Sequence, residues 1–410
     1  MKNGGKILNE STENLKIKDL KLSALLEVTL AINSNVSKDK LFGIYNKTLR
    51  ELEIEKIALY IYEGDWNLAT FYGIKIEQLS INVIEDLIQY EEIEEVNSVT
   101  DGIFREFDIL IPVYHKTKPI AYLLIGDIIN EAIKISPIIK HLPFIQTFTN
   151  IIAVAIENKI LAKEAIRQER IKKELELASE MQTMLLPNAL PKDNNLDIAA
   201  FYKSHDQVGG DYYDVIWINS AEIAICIADV SGKGVSAAIL MSNFQANLKA
   251  GVKHSINLSE LVEDLNEKVI SSAKGEKFIT MFIATYNIDT RQLTYINCGH
   301  NPPVLKNSSD VIELKNGCPG LGMLDHIPSP KIGVIYISPG SLLVTYTDGL
   351  VEVENDNQVE YGTKKVHEAI LNFTNNSMEE LNQYLIEDLT KFKQNQPFVD
   401  DIAILSCKFI

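Results

Sequence analysis

The stretch Ala228-Asp229-Val230-Ser231-Gly232-Lys233-Gly234 decides how the C-terminal part of this chain is interpreted. It lies between a predicted buried strand, Glu222 to Ala228, and a predicted helix, Val235 to Ala250. Its glycines let the backbone turn sharply and approach a ligand, and its Asp stands at the edge of the strand. An Asp beside a glycine is by itself most often part of an ordinary turn, so the neighbouring segments decide its meaning.

Three further segments of the C-terminal half repeat this layout: Val208-Gly209-Gly210-Asp211-Tyr212-Tyr213-Asp214, Tyr346-Thr347-Asp348-Gly349 and Val399-Asp400-Asp401-Ile402. Antiparallel strands can bring such ends to one edge of a sheet, where converging carboxylates repel each other unless a cation lies between them. Oxygen ligands without Cys or His suit Mg²⁺ or Mn²⁺ rather than Zn²⁺. The joint pattern therefore predicts a site for two such ions, which would hold a water molecule ready to attack a phosphorus atom.

The composition is that of a globular protein with two to three domains, since 410 residues compare with about 150 per domain. Acidic residues outnumber basic ones by 56 to 39, and the net charge of −17 argues against a general surface for nucleic acid. No apolar run is long enough for a membrane span, and Met1 to Ser11 lacks the apolar core of a signal peptide. The four cysteines form no C-x-x-C pair, which predicts reduced thiols in a cytoplasmic protein.

The chain is predicted to have four parts. Residues 1–17 look like a flexible tail, and residues 18–156 show a mixed pattern of helices and strands. One early helix is predicted to have the apolar face Leu22, Leu25, Leu26, Val28 and Leu30. Residues 157–186 are predicted to be a helical linker. In residues 187–410 strands and helices do not alternate regularly, which predicts an α+β sandwich of sheets flanked by helices.

The linker is part of a predicted long helix that begins near Phe144 and ends before Pro187. No Pro or Gly interrupts it, and between Glu157 and Glu180 it has six basic and six acidic residues. A narrow apolar seam runs along it, formed by Ile152, Ile156, Ile160, Ala165, Ile166, Ile171, Leu175, Ala178, Met181 and Leu185. A single exposed helix of this length is marginally stable, so a parallel coiled-coil homodimer is favoured over packing on its own domain.

Two more motifs, Leu185-Leu186-Pro187 and Gly299-His300-Asn301-Pro302-Pro303, complete a known combination. With them, the run from about Glu174 to Ile410 resembles the metal-dependent PPM protein phosphatases related to protein phosphatase 2C, in particular the bacterial SpoIIE/RsbU branch. The resemblance implies an α-β-β-α sandwich with two Mn²⁺ or Mg²⁺ ions at one edge. It also implies hydrolysis of phosphoserine or phosphothreonine on a partner protein, in this branch a phosphorylated anti-sigma-factor antagonist.

The resemblance also implies roles for individual residues. Asp229 would bridge the two ions, Val230 would offer its backbone carbonyl, and Asp348 and Asp400 would complete the shell of the first ion. Asp211 would serve the second ion, mostly through water, so the catalytic set is Asp211, Asp229, Asp348 and Asp400. Asp401 is also a candidate for the metal site, either as an acid behind the ligands or as a ligand of a further ion. Asp214 is a further candidate for the same site.

Three residues near these acids have open interpretations. Lys233 is equally consistent with a phosphate contact and with a solvated turn lysine. His300 is better explained as a residue that fixes a turn than as a general acid. Ala403 stands where the family usually has Thr, which removes a hydroxyl group but none of the expected acids.

Residues 18–156 resemble a GAF domain in pattern, size and position, which implies a sensor for a small molecule or protein signal. Cysteine is absent from these residues, so a thiol-linked chromophore is excluded, and the signal itself is not readable. The main alternative is a catalytically weak pseudo-phosphatase that acts as an interaction module. A histidine kinase would need a His between Phe144 and Leu186, where there is none, and the pattern of a nucleotide cyclase does not continue at Tyr212 and Tyr213.

Overall fold

The structure is a computed structural model that describes residues 2–79, 81–96, 104–126, 137–254, 257–308, 310–373 and 377–410, with the backbone alone for 2–11, 78 and 137–139. The chain divides into two compact units, residues 1–169 and 170–410. The division falls inside one long helix, Pro137–Thr183. Among the described residues, no helix is both long enough and apolar enough to cross a membrane.

The N-terminal unit is a five-stranded antiparallel sheet with helices on one face. The strand order is β2-β1-β5-β4-β3. The strands are β1 (Lys56–Tyr62), β2 (Trp66–Tyr72), β3 (Glu94–Glu95), β4 (Ile109–His115) and β5 (Lys118–Gly126). The helices are α1 (Lys2–Asn33), α2 (Lys38–Glu51) and α3 (Pro137–Thr183), and short helical turns cover Ile76–Gln78 and Val83–Leu87.

Apolar side chains pack against both faces of this sheet, which agrees with the apolar sequences of strands β1 and β5. Along β1, Ile57 and Leu59 join the core beneath the helices, while Ala58 and Tyr60 join a second core on the opposite face. A strand that is buried on both sides reads as an almost continuous apolar run, as β1 does. The GAF-like identity of this unit stays a prediction.

Two predictions about helix α1 were wrong. The structure continues α1 back to Lys2, through the segment that was predicted to be a flexible tail, since no proline stops a helix there. Leu22 is 69% exposed and Leu26 61%, although both were predicted to lie on the apolar face. Val28 is fully buried as predicted, and Ala24 and Ala31 join it on the buried face, where their small side chains and i, i+4, i+7 spacing let α1 pack closely.

Helix α3 begins earlier than predicted, at Pro137 rather than near Phe144. Proline is well tolerated at the first position of a helix, and α3 continues through Pro143, although a proline inside a helix removes one hydrogen bond and crowds the preceding turn. The predicted seam divides into two parts. Its first residues, such as Ile152 and Ile156, are fully buried in the N-terminal unit, whereas Ile166, Ile171 and Met181 further along are exposed.

The C-terminal unit contains two facing sheets. The first has the order β13-β10-β9-β8-β7, with β14 also beside β10, and the second has the order β12-β11-β15-β16-β6. The first sheet consists of β7 (Tyr212–Trp217), β8 (Glu222–Val230), β9 (Ile279–Asn287), β10 (Gln292–Cys298), β13 (Gly317–Cys318) and β14 (Gly333–Tyr336). The second consists of β6 (Leu196–Lys203), β11 (Val304–Asn307), β12 (Asp310–Glu313), β15 (Ser341–Tyr346) and β16 (Ile402–Phe409).

Helices cover the outer faces of both sheets. On the first sheet they are α4 (Val235–His254) and α5 (Leu258–Ala273), and on the second they are α7 (Gly362–Asn372) and α8 (Met378–Lys393), while α6 (Asp348–Val351) is a single turn. Between the sheets, the rings of Tyr286 and Phe409 lie 4.5 Å apart in a common core. The predicted α+β class and the α-β-β-α sandwich are confirmed.

Candidate metal centre

The four predicted acidic segments lie at strand ends that neighbouring strands bring together. In the first sheet β7 and β8 are antiparallel, and Tyr212 pairs with Ala228, which places Asp211 beside Asp229. In the second sheet β15 and β16 are antiparallel, so the segment after Tyr346 lies next to the segment before Ile402. In an antiparallel pair the end of one strand adjoins the start of the next, so each sheet contributes two of the four segments.

Hydrogen bonds join the two pairs of segments into one cluster. The Thr347 hydroxyl donates to Asp211 Oδ2 at 2.7 Å, from the second sheet to the first. Asp401 makes a second such link, because its carboxylate accepts hydrogen bonds from the Gly210 N–H at 2.6 Å and from the His205 N–H at 2.7 Å. Asp401 is therefore largely occupied in fixing the loop that presents Asp211.

The backbone approaches within this cluster leave no room for a side chain at Gly349 and little room at Gly210. A Cβ atom added at Gly349 would lie 1.9 Å from the Asp401 carbonyl oxygen. One added at Gly210 would lie 3.0 Å from the Val230 carbonyl oxygen, the predicted backbone ligand. Glycine beside the acids thus allows the strand ends to meet.

Burial and mutual repulsion make these carboxylates hard to ionise. Burial, followed by the nearby charge of Asp348, raises the pKa of Asp229 to about 7. Burial and the charge of Asp229 raise the pKa of Asp211 well above its ordinary value. Burial also raises the pKa of Asp348, with Asp400 as the next cause, and burial is again the first cause of the raised pKa of Asp401.

One cation already lies against the cluster. The Lys233 ammonium is 3.0 Å from Asp400 Oδ2 and also donates to the Val399 carbonyl. It projects from the loop between β8 and α4, which Lys277 supports by donating to the Ser231 carbonyl at 2.7 Å. The structure thus places Lys233 at the acids, although the lysine is 42% exposed.

The structure brings Asp211, Asp229, Asp348, Asp400 and Asp401 together but leaves Asp214 outside. Asp214 lies further along β7, where Lys249 stands 3.2 Å from its carboxylate and the Tyr212 hydroxyl donates to it. His300 is buried, and its Nδ1 lies 2.9 Å from the hydroxyl of Thr280, the residue paired with Asp229 across β8 and β9. Burial lowers the pKa of His300 to about 4, which suits a neutral residue that fixes a turn.

Two positioning residues were missed by the sequence interpretation. Thr347 was predicted to lie beside Asp348 but was assigned no function, although its hydroxyl group orients Asp211. Gln182 near the end of α3 holds both backbone groups of Gly209, donating to the carbonyl at 2.6 Å and accepting from the N–H at 3.0 Å. Neither contact has a local signal in the sequence, because the partners are distant in the chain.

The donor set fits hard divalent cations such as Mg²⁺ and Mn²⁺. It consists of oxygen atoms alone, and the raised pKa values show that Lys233 does not offset the burial and mutual repulsion that oppose ionisation of these acids. Within the described ranges, no three His, Cys, Asp or Glu side chains form a ready-made metal cluster. Carboxylates that repel each other are expected to converge fully only around cations.

Comparisons with known proteins agree with this architecture. The family model described as Stage II sporulation protein E (SpoIIE) matches residues 219–410. Phosphoserine phosphatase RsbU of Bacillus subtilis is 32% identical over 192 residues, which cover 46% of this chain and 57% of RsbU. Phosphoserine phosphatase RsbP of the same organism is 26% identical over 186 residues, which cover 44% of this chain and 46% of RsbP.

Among solved structures, the SiaA-PP2C domain of Pseudomonas aeruginosa is similar with a TM-score of 0.54 and 20% sequence identity. The match covers 60% of this chain and 100% of that domain, and it supports the fold. This chain spans about half the length of the curated relatives named above. Residues 219–410 are thus similar to the SpoIIE family, and the C-terminal unit has the fold of PP2C-type phosphatase domains.

Proposed function

We propose that the C-terminal unit is a metal-dependent protein serine/threonine phosphatase. The single observation that carries this proposal is the convergence of five aspartates from both sheets at one edge of the sandwich. Two relatives of this part of the chain are named phosphoserine phosphatases, and PP2C-type phosphatases depend on metal ions. Metal-dependent release of phosphate from a phosphoserine protein, abolished by a chelator, tests the proposal.

Two Mn²⁺ or Mg²⁺ ions would be held by Asp211, Asp229, Asp348 and Asp400, together with the Val230 carbonyl. Asp401, which accepts two backbone hydrogen bonds, would stand behind these ligands or bind a further ion. When bound, such ions supply an activated water molecule and neutralise charge on the phosphate. The chain contributes the positioning: Thr347 orients Asp211, and Asp401 holds the Gly210 loop. Asp229, at the end of β8 between Asp211 and Asp348, is the residue best placed to serve both ions.

Lys233 is proposed to bind the phosphate of the substrate. Its ammonium now neutralises Asp400, and an ion at Asp400 would leave that ammonium available to an anion. We expect Lys233→Ala to raise the KM for a phosphoprotein about tenfold. Inhibition by inorganic phosphate should weaken by a similar factor, because the loss of one charge-assisted hydrogen bond changes a binding constant by roughly this amount. We expect Lys233→Arg to restore most of both, whereas equal phosphate inhibition in wild type and Lys233→Ala would show that this lysine is merely solvated.

Metal binding is expected to depend on pH through Asp229. The raised pKa means that the ion-free protein keeps a proton on this carboxyl below about pH 7, and a bound cation must displace it. The affinity for Mn²⁺ should therefore rise with pH by up to about tenfold per unit for each proton released, and the raised pKa of Asp211 adds to the rise from Asp229. Calorimetric titrations between pH 5.5 and pH 8, in buffers of different ionisation enthalpy, measure both quantities; a constant affinity would contradict the raised pKa.

The N-terminal unit is proposed to regulate the phosphatase. Residues 18–156 would act as a GAF-like sensor of a small molecule or protein, and residues 157–186 would pass its state along the helix. The proposed substrate is a phosphorylated anti-sigma-factor antagonist, as the similarity to RsbU and RsbP suggests. Comparison of turnover of this substrate with turnover of an unrelated phosphoserine protein tests the assignment.

The linker is also proposed to pair two chains, because its exposed apolar residues are otherwise solvated. Ile166 is 71% exposed and Met181 69%, and Ile171 lies between them on the predicted seam. We expect light scattering to give a mass near two protomers for the wild type and near one for Ile171→Glu. Asn158→Glu, which adds the same charge at an exposed position on a different side of the helix, should remain dimeric. A monomeric wild type would contradict the proposed pairing.

A further inference from the structure

Two of the four cysteines form a close pair in the first sheet of the C-terminal unit. Cys298 ends β10 and Cys318 ends β13, and the two residues are direct partners in the parallel pairing of these strands. Their sulfur atoms lie 3.6 Å apart as free thiols. The other two, Cys226 and Cys407, are buried elsewhere in the sandwich core.

The backbone around the pair is suited to a covalent bond. A Cβ added at Gly317 would lie 1.7 Å from the Asn297 carbonyl oxygen, so β13 lies tightly against β10 at the preceding register position. Neighbouring strands lie about 4.8 Å apart, within the range of about 4.4–6.8 Å between Cα atoms that disulfides span. The sulfur atoms need to approach by about 1.5 Å to reach the S–S length of about 2.05 Å, which small side-chain rotations provide.

The two thiols differ in a way that defines their order of reaction. Cys298 is fully buried, whereas Cys318 is partly exposed at the surface of the sheet. The hydrogen bond between the thiols lowers the pKa of Cys318, while the same bond and burial raise the pKa of Cys298. Cys318 is therefore the thiol that an oxidant can reach and that ionises more readily.

We propose that Cys298 and Cys318 are a site of reversible oxidation that forms an intramolecular disulfide. The Cys318 thiolate attacks one oxygen of a hydroperoxide, the O–O bond breaks, and the products are a sulfenic acid and, for hydrogen peroxide, water. The Cys298 thiol then attacks the Cys318 sulfur and expels a second water molecule. Two thiols and one hydroperoxide thus give one disulfide, and a small-molecule dithiol restores the pair by exchange.

Mass spectrometry of the full-length protein tests this proposal. After treatment with a modest excess of hydrogen peroxide and alkylation of the remaining thiols, we expect tryptic peptides 292–306 and 316–331 to appear joined. Their joint mass should be about 2 Da below the sum of the reduced peptides, the loss of two hydrogen atoms. Dithiothreitol should separate them again, and the measurement on the wild type does not depend on the folding of any variant.

Matched variants distinguish a disulfide between Cys298 and Cys318 from unspecific oxidation of thiols. Cys318→Ser should abolish the joined peptides, and Cys407→Ala should leave their yield unchanged. The proposal is overturned if the wild type gives only sulfinic and sulfonic acids on these peptides. It is also overturned if oxidation joins the cysteines of two different chains, which a mixture of light and heavy isotope-labelled protein reveals.

Discussion

Asp229→Asn is expected to remove nearly all metal-dependent phosphatase activity, by about a thousandfold or more, and yet to stabilise the ion-free protein. The loss follows because this carboxylate is proposed to contact both ions, and the amide cannot replace its charge. Turnover of a phosphoserine protein with saturating Mn²⁺ measures the first effect. Asp214→Asn is the control, because that acid lies on the neighbouring strand β7 but outside the cluster.

The gain in stability has a defined dependence on pH. The pKa of Asp229 is raised in the folded protein, so the unfolded chain ionises first and ionisation opposes folding. The penalty begins near the ordinary pKa of an aspartate, about 4, grows up to about pH 7 and is complete above it. We expect Asp229→Asn to raise the free energy of unfolding by roughly 1–3 kcal/mol at pH 8 without metal, and by less at pH 5. Equal stability of both proteins at pH 8 would mean that Asp229 is not buried among like charges.

Gly349→Ala is expected to cost about 3 kcal/mol or more of stability and most of the activity. The added methyl group would lie 1.9 Å from the Asp401 carbonyl oxygen, which is backbone and cannot rotate away. The strand ends that carry Asp348 and Asp400 would have to separate. Calorimetric unfolding and metal titration measure the two effects together.

Gly43→Ala is the matched control for that substitution. Gly43 lies in helix α2 with no atom within 4 Å of an added Cβ, so alanine should be neutral or stabilise by about 0.5–1 kcal/mol. A Gly349→Ala protein as stable and active as the wild type would contradict the close approach of the two segments.

The sequence predicted the site best where an acidic residue stands next to the end of a predicted strand. Asp211, Asp229, Asp348 and Asp400 each stand beside a strand end, so antiparallel pairing was enough to predict that Asp211 lies beside Asp229 and that the segments of Asp348 and Asp400 are neighbours. Helix boundaries were less predictable. Helix α4 passes through Gly251 to His254, because burial of neighbouring Val252 outweighs the cost of about 1 kcal/mol for a glycine in a helix.

Contacts between distant parts of the chain could not be predicted. Gln182 holds Gly209 across 27 residues, and Thr347 reaches Asp211 across 136. Nothing in the spacing of either residue indicates its partner. The same holds for the ion pair of Asp214 with Lys249, which takes this acid out of the cluster.

The most direct test of the proposed metal-dependent phosphatase activity is a calorimetric titration of the full-length protein with Mn²⁺, combined with phosphate release from a phosphoserine protein at each metal concentration. The account predicts two ions per C-terminal unit and a turnover that rises with their occupancy and vanishes with a chelator. Ion binding without turnover, of this substrate or of p-nitrophenyl phosphate, would instead indicate a pseudo-phosphatase. A protein that binds no divalent cation would contradict the proposed metal site itself.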